Sequence, residues 1–78
     1  MPNKPFNGHK NWNHWNVSLW INNDYGMYSV ARELVQDYGT KTQAAKEFIS
    51  MMHSNGITKT PDGVPYSLSA VRAAIRHL

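Results

Sequence analysis

Cysteine is absent from this chain of 78 residues, which excludes disulfides and thiolate metal ligands and favours a reducing, intracellular setting over secretion. Long apolar runs are missing as well. No stretch approaches the roughly 18 to 20 residues of a membrane span, and the opening Met1-Pro-Asn-Lys-Pro-Phe lacks the apolar core of a signal peptide. The expectation is a soluble, cytoplasmic protein with no membrane partner. Acidic residues are scarce, five against eight lysines and arginines, for a formal charge of +3. That excess is local. From Thr40 onward Lys41, Lys46, Lys59, Arg72 and Arg76 are opposed only by Glu47 and Asp62, whereas Lys4, Lys10 and Arg32 balance Asp24, Glu33 and Asp37 before it. A cationic excess on a short unit points to a polyanion as partner, because phosphates supply most of the non-specific energy of nucleic-acid binding.

The apparatus of catalysis is also lacking. There is no nucleophile elbow, no Gly-rich phosphate loop and no paired carboxylate, and His9, His14, His53 and His77 do not fall at metal-ligand spacings. No enzyme activity, metal or cofactor is expected. What is present is a folded core: hydrophobic residues make up 41% and include three tryptophans, four tyrosines and two phenylalanines, too many for a disordered chain. A chain this short forms one domain whose core supplies roughly 5 kcal/mol or less.

Residues 1–10, with Pro2, Pro5 and Gly8 and no apolar period, read as a flexible arm whose one anchor is Phe6; residues 11–78 read as a single helical domain. Trp12, Trp15 and Leu19 recur at helical spacing, with Val17, Trp20 and Ile21 around the circumference, and Asn22-Asn23 as the stop. The three tryptophans are expected to fill the core, and Asn16 to hydrogen-bond a loop backbone. Asp24 caps a second helix carrying Met27, Tyr28, Ala31, Leu34, Val35 and Tyr38 inward, with Gly39 at its C′ position. Thr40 and Gln43 have capping-box spacing before Ala44, Ala45, Phe48, Ile49 and Met52, and Asn55-Gly56 ends that helix. Pro61, Asp62 and Gly63 suit a tight turn with Gly63 at positive φ. Ser67 caps a last helix with Leu68, Val71, Ile75 and Leu78 as the buried stripe and Ser69, Arg72, Ala73 and Arg76 outside. The fold predicted is all-α: a compact single domain of about four short helices, with a helix-loop-helix, HTH-like C-terminal half.

The order of Tyr38-Gly39, the Thr42-Gln-Ala-Ala-Lys-Glu-Phe-Ile helix, Asn55-Gly56-Ile57, Thr60-Pro61-Asp62-Gly63, Tyr66-Ser67 and Ser69-Ala-Val-Arg-Ala-Ala-Ile resembles the first DNA-binding segment of large serine recombinases. There a helix, an N-E-G-I-x-T-P-x-G turn and a W-S-x-S-x-V-R-x-I-L helix follow in that order. The resemblance covers residues 30–76; it implies DNA contact from Ser67, Ser69 and Arg72, with Arg76 one turn on. Tyr66 stands where tryptophan is usual, and neither a catalytic resolvase domain nor zinc-ribbon cysteines are present, so recombination is not implied. Lys10 to Asp24, with Tyr28 and Ala31, is similar to a K-x-W-x-x-W-N-V-x-L-W-x-N-N-D block of small tailed-bacteriophage proteins. That resemblance implies a phage origin, hence the cytoplasm of a host cell, and no activity.

The leading expectation is therefore a small phage or mobile-element protein, regulatory or accessory, that binds double-stranded DNA. Arg72 and Arg76 lie one helical turn apart and could meet guanine and phosphate, Lys41 and Lys46 sit near a helix start where phosphate is favoured, and Lys59 in the turn could touch backbone. The long connection before the last helix departs from the 3–4-residue turn of the standard motif. A two-fold dimer, which doubles the contacts, is favoured over a monomer. The alternative is a phage-encoded protein-binding module that inhibits or redirects a host factor such as a defence-system component, anchored by exposed Tyr25, Met51 and Tyr66.

Overall fold

Asn11 opens the first helix: its side chain accepts the His14 backbone N–H at 2.9 Å while its own backbone stays extended. The computed structural model describes residues 11–76 and 78; the arm predicted over 1–10, Phe6 included, and His77 lie outside them. Four helices follow in order, α1 (Trp12–Asn23), α2 (Tyr25–Asp37), α3 (Lys41–Ser54) and α4 (Leu68–Ile75), and among the described residues the only β pairing is an isolated bridge. The chain is all-α. α4 packs against α1 and α3, and α2 against α1 and α3, so every helix has two principal neighbours around one core.

Local chemistry sets the boundaries. A single residue, Asp24, joins α1 to α2: its N–H bonds Trp20 O to end the first helix, and its carboxylate accepts the Met27 N–H at 3.0 Å to start the second. Thr40 caps α3 through the Gln43 N–H at 3.1 Å, but the box does not close: among the described residues the Thr40 N–H does not reach the Gln43 side-chain oxygen, and the Gln43 amide nitrogen donates to Glu47 Oε2. At the other end of α3, Gly56 at φ 77° lets its N–H reach His53 O and the Ile57 N–H reach Met52 O, both at 2.9 Å, which is a Schellman ending. Gly39 follows α2 as expected, yet it is not left-handed; the helix stops because Tyr38 turns extended at φ −109°, ψ 147°.

The core departs from the expectation at α1. Val17, Ile21 and Asn16 are the buried residues of that helix, whereas Trp15 and Trp20 are half-buried and Trp12 is 42% exposed. At 100° per residue Trp15 and Leu19 point roughly 160° away from Val17. Two things place the helix this way. The apolar residues of α1 are spread over most of its circumference and interleaved with Asn, Ser and His, so periodicity chooses no single face, and α4, whose buried residues include the small Ala70 and Ala74, packs against it. Phe48, Ile21, Ile75, Val17 and Val71 fill the centre. The stripe on α4 is correspondingly rotated: Ala70, Val71, Ala74 and Ile75 are buried, while Leu68 is exposed and Leu78 half-buried.

Residues 55–67, between α3 and α4, form an arch. Thr60 N–H donates to Val64 O at 2.8 Å, Tyr66 N–H to Thr58 O at 3.1 Å, and Lys59 pairs antiparallel with Pro65; Gly63 makes the bend at φ 90°. The predicted turn is thus the tip of a short two-sided ribbon.

Candidate nucleic-acid interface

The arch is fixed to α1 by side chains. Asn16, 1% exposed, accepts from the Thr60 hydroxyl at 2.7 Å and donates through its amide to Asp62 Oδ2 at 2.8 Å; the Trp20 indole N–H reaches the same oxygen at 3.0 Å. Thr60 Oγ1 in turn accepts the Val64 N–H at 3.1 Å, so no buried side-chain polar atom is left without a partner among the described residues. Asn16 does bind the loop, but through Thr60 and Asp62 side chains where a backbone group was expected. The Asn16 amide, and then the Trp20 indole, hold the Asp62 carboxyl below its ordinary range.

Across α3, the arch and α4 the charges divide in a consistent way. Lys46, Lys59, Arg72 and Arg76 are exposed, and among the described residues no hydrogen bond or ion pair engages their side chains. The two carboxylates of the same half are occupied by neutral donors, Glu47 by the Gln43 amide and Asp62 by Asn16 and Trp20. Both carboxylates keep their negative charge, but among the described residues neither is ion-paired with any of these four cations. Arg72 and Arg76 share the outer side of α4, 40° apart by helical geometry, with Arg76 continuing the αR backbone at the C-cap.

Three other sequence-predicted contacts have structural partners. Ser67 is the N-cap of α4, its Oγ accepting the Ala70 N–H at 3.3 Å. Ser69 Oγ shares a hydrogen bond of 3.0 Å with His14 Nε2 and so links α4 to α1. Lys41 is half-buried and donates to the Arg76 carbonyl at 2.9 Å, neutralising the negative end of α4. This contact brings Lys41 beside Arg76 while taking its ammonium away from the start of α3. Sequence spacing carried no signal for the last two links, which join residues 55 and 35 positions apart.

Of the protein-interface candidates, Tyr25 is 85% exposed and Met51 42%, but Tyr66 is 3% exposed and is corrected from anchor to core residue. Its ring stands edge-on to Phe48 at 6.3 Å, and its hydroxyl donates to Met27 Sδ at 3.7 Å. Burial, and secondarily the charge of Asp24, push the phenol upward. The reason is position: Tyr66 closes the arch against Thr58 directly before the α4 cap, where its ring lies over the core. Among the described residues no group of three His, Cys, Asp or Glu could hold a metal, and no helix is long and apolar enough to cross a membrane.

The chain belongs to a family of unknown function, DUF7249, whose model matches residues 2–78. No curated protein and no solved structure matches it.

Proposed function

We propose that this protein binds double-stranded DNA through the outer side of α4, the arch before it and Lys46 of α3, as a small regulatory or accessory protein of a phage or mobile element. The observation that supports the reading is the charge arrangement: Lys46, Lys59, Arg72 and Arg76 are exposed and unengaged while Glu47 and Asp62 are occupied by neutral donors. Ser67 and Ser69 orient α4 in this reading; Arg72 and Arg76 make the contacts. The HTH-like character of the C-terminal half is part of the proposal, with the arch in place of the short standard turn. If each of the four cations meets one phosphate, log K falls against log salt with a slope of about −3.6, so affinity drops about 150-fold between 50 and 200 mM salt.

The test is a fluorescence titration of the purified chain with a labelled random-sequence 30-base-pair duplex at those two salt concentrations. Micromolar, salt-sensitive binding supports the proposal; no binding at 50 mM removes it. The second reading, a module that inhibits or redirects a host factor, is favoured by a different observation, the 85% exposure of Tyr25 and the exposed Met51. Capture of one host protein that survives nuclease and fails with Tyr25→Ala would replace the first reading with this one.

A further inference from the structure

Asp62 is exposed, and water would solvate its carboxylate as well as Asn16 and Trp20 do, yet the side chain is turned back onto α1. Asn16 is the odd residue of its helix, a buried amide between Trp15 and Val17 where an alanine or leucine would pack without desolvating a polar group. Such a network fixes conformation more than it stabilises. What it fixes is the arch. Along an extended segment side chains alternate, so locking Thr60 inward against Asn16 sets Lys59 outward.

We propose that Asn16, Trp20 and Asp62 are positioning residues that hold the arch ready, so that Lys59 meets a DNA phosphate without first ordering the loop. This inference rests on the DNA-binding reading. An arch released from α1 loses the preset position of Lys59 and has its ordering cost charged against binding. Electrostatics alone makes the opposite forecast, since removing a carboxylate three residues from Lys59 would strengthen attraction to phosphate.

Comparison of Asp62→Asn with Asp62→Ala separates the two, because both lack the charge and only the asparagine keeps an acceptor for the Asn16 amide and the Trp20 indole. The site of change is exposed, and circular dichroism is used to check that each variant retains its helices. The full chain is titrated with the 30-base-pair duplex at 50 and 200 mM salt. Asp62→Asn is expected to bind at least as tightly as the parent, and Asp62→Ala roughly three- to tenfold more weakly than Asp62→Asn. Adding Lys59→Ala should lower the salt slope by about 0.9 in the Asp62→Asn background and by less than half of that in the Asp62→Ala background. Equal binding by the two Asp62 variants overturns the positioning role while leaving DNA binding intact, and so does an equal effect of Lys59→Ala in both. A parent chain that binds no duplex removes the DNA reading itself, a result distinct from either.

Discussion

Replacing Asn16 by alanine should destabilise the domain by about 2 kcal/mol, most of it from one bond. The Thr60 hydroxyl, in a residue 4% exposed, would lose the acceptor now 2.7 Å away, and a buried donor left unsatisfied costs about 1–3 kcal/mol. The Asp62 side adds little, because that carboxylate is exposed and water replaces the lost amide. For a domain of this size about 2 kcal/mol corresponds to a fall in Tm of about 8–16 °C, and to a large share of a total stability of about 5 kcal/mol. Urea denaturation followed by circular dichroism measures it. A double-mutant cycle with Thr60→Val should return a coupling of about 1 kcal/mol, within the range of residues sharing one hydrogen bond. A loss under about 0.5 kcal/mol, the size of an ordinary surface change, or strictly additive effects in the cycle, would refute the claim that the pair anchors the arch.

Four further outcomes follow from the same geometry. Arg72→Ala with Arg76→Ala should lower the salt slope of duplex binding by about 1.8, leaving about a 12-fold drop between 50 and 200 mM salt; an unchanged slope would remove α4 from the interface. Gly56→Ala should cost about 1–2 kcal/mol for its left-handed backbone, whereas Gly39→Ala, with open space around it, should be neutral or stabilise by about 0.4–1 kcal/mol through the unfolded chain, both read by urea denaturation. The Asp62 carboxyl is held below its ordinary value when folded, so its stabilising contribution is present above the unfolded value and lost as pH falls through the folded one; an acid titration of Tm should show a shallower fall in Asp62→Ala than in the parent. Tyr66→Ala should cost about 3–5 kcal/mol, as for other large core truncations, and unfold much of the protein, so partner loss in that variant reports unfolding, while Tyr25→Ala should leave Tm unchanged.

Helix starts were legible because a cap is decided within four residues: Asp24, Thr40 and Ser67 each accept the N–H three positions on. Gly56 and Gly63 were legible for a similar reason, since both sit where only positive φ completes the turn. The face of α1 was not. A helix whose apolar residues are scattered around its circumference leaves the choice to the neighbours that pack on it, here α4 and α2. Tyr66 was misread because an aromatic next to a polar cap looks the same in sequence whether it points in or out. The four cations' identities were on the surface of the sequence, but their freedom depended on where Glu47 and Asp62 turned. Those partners, Asn16 and Trp20 above all, lie 46 and 42 positions from Asp62, beyond the reach of any local pattern.

Asp24 serving two helices at once has a practical side. A joint of one residue whose backbone closes α1 and whose carboxylate opens α2 has no slack, and an inserted peptide there would strip both helices of an end. Tyr38, Gly39 and Thr40 form the other short joint, exposed throughout and with open space around Gly39. A fluorophore or affinity tag that spares the helix ends belongs at Gly39 and not at Asp24, on a loop two residues from the Lys41 contact to Arg76.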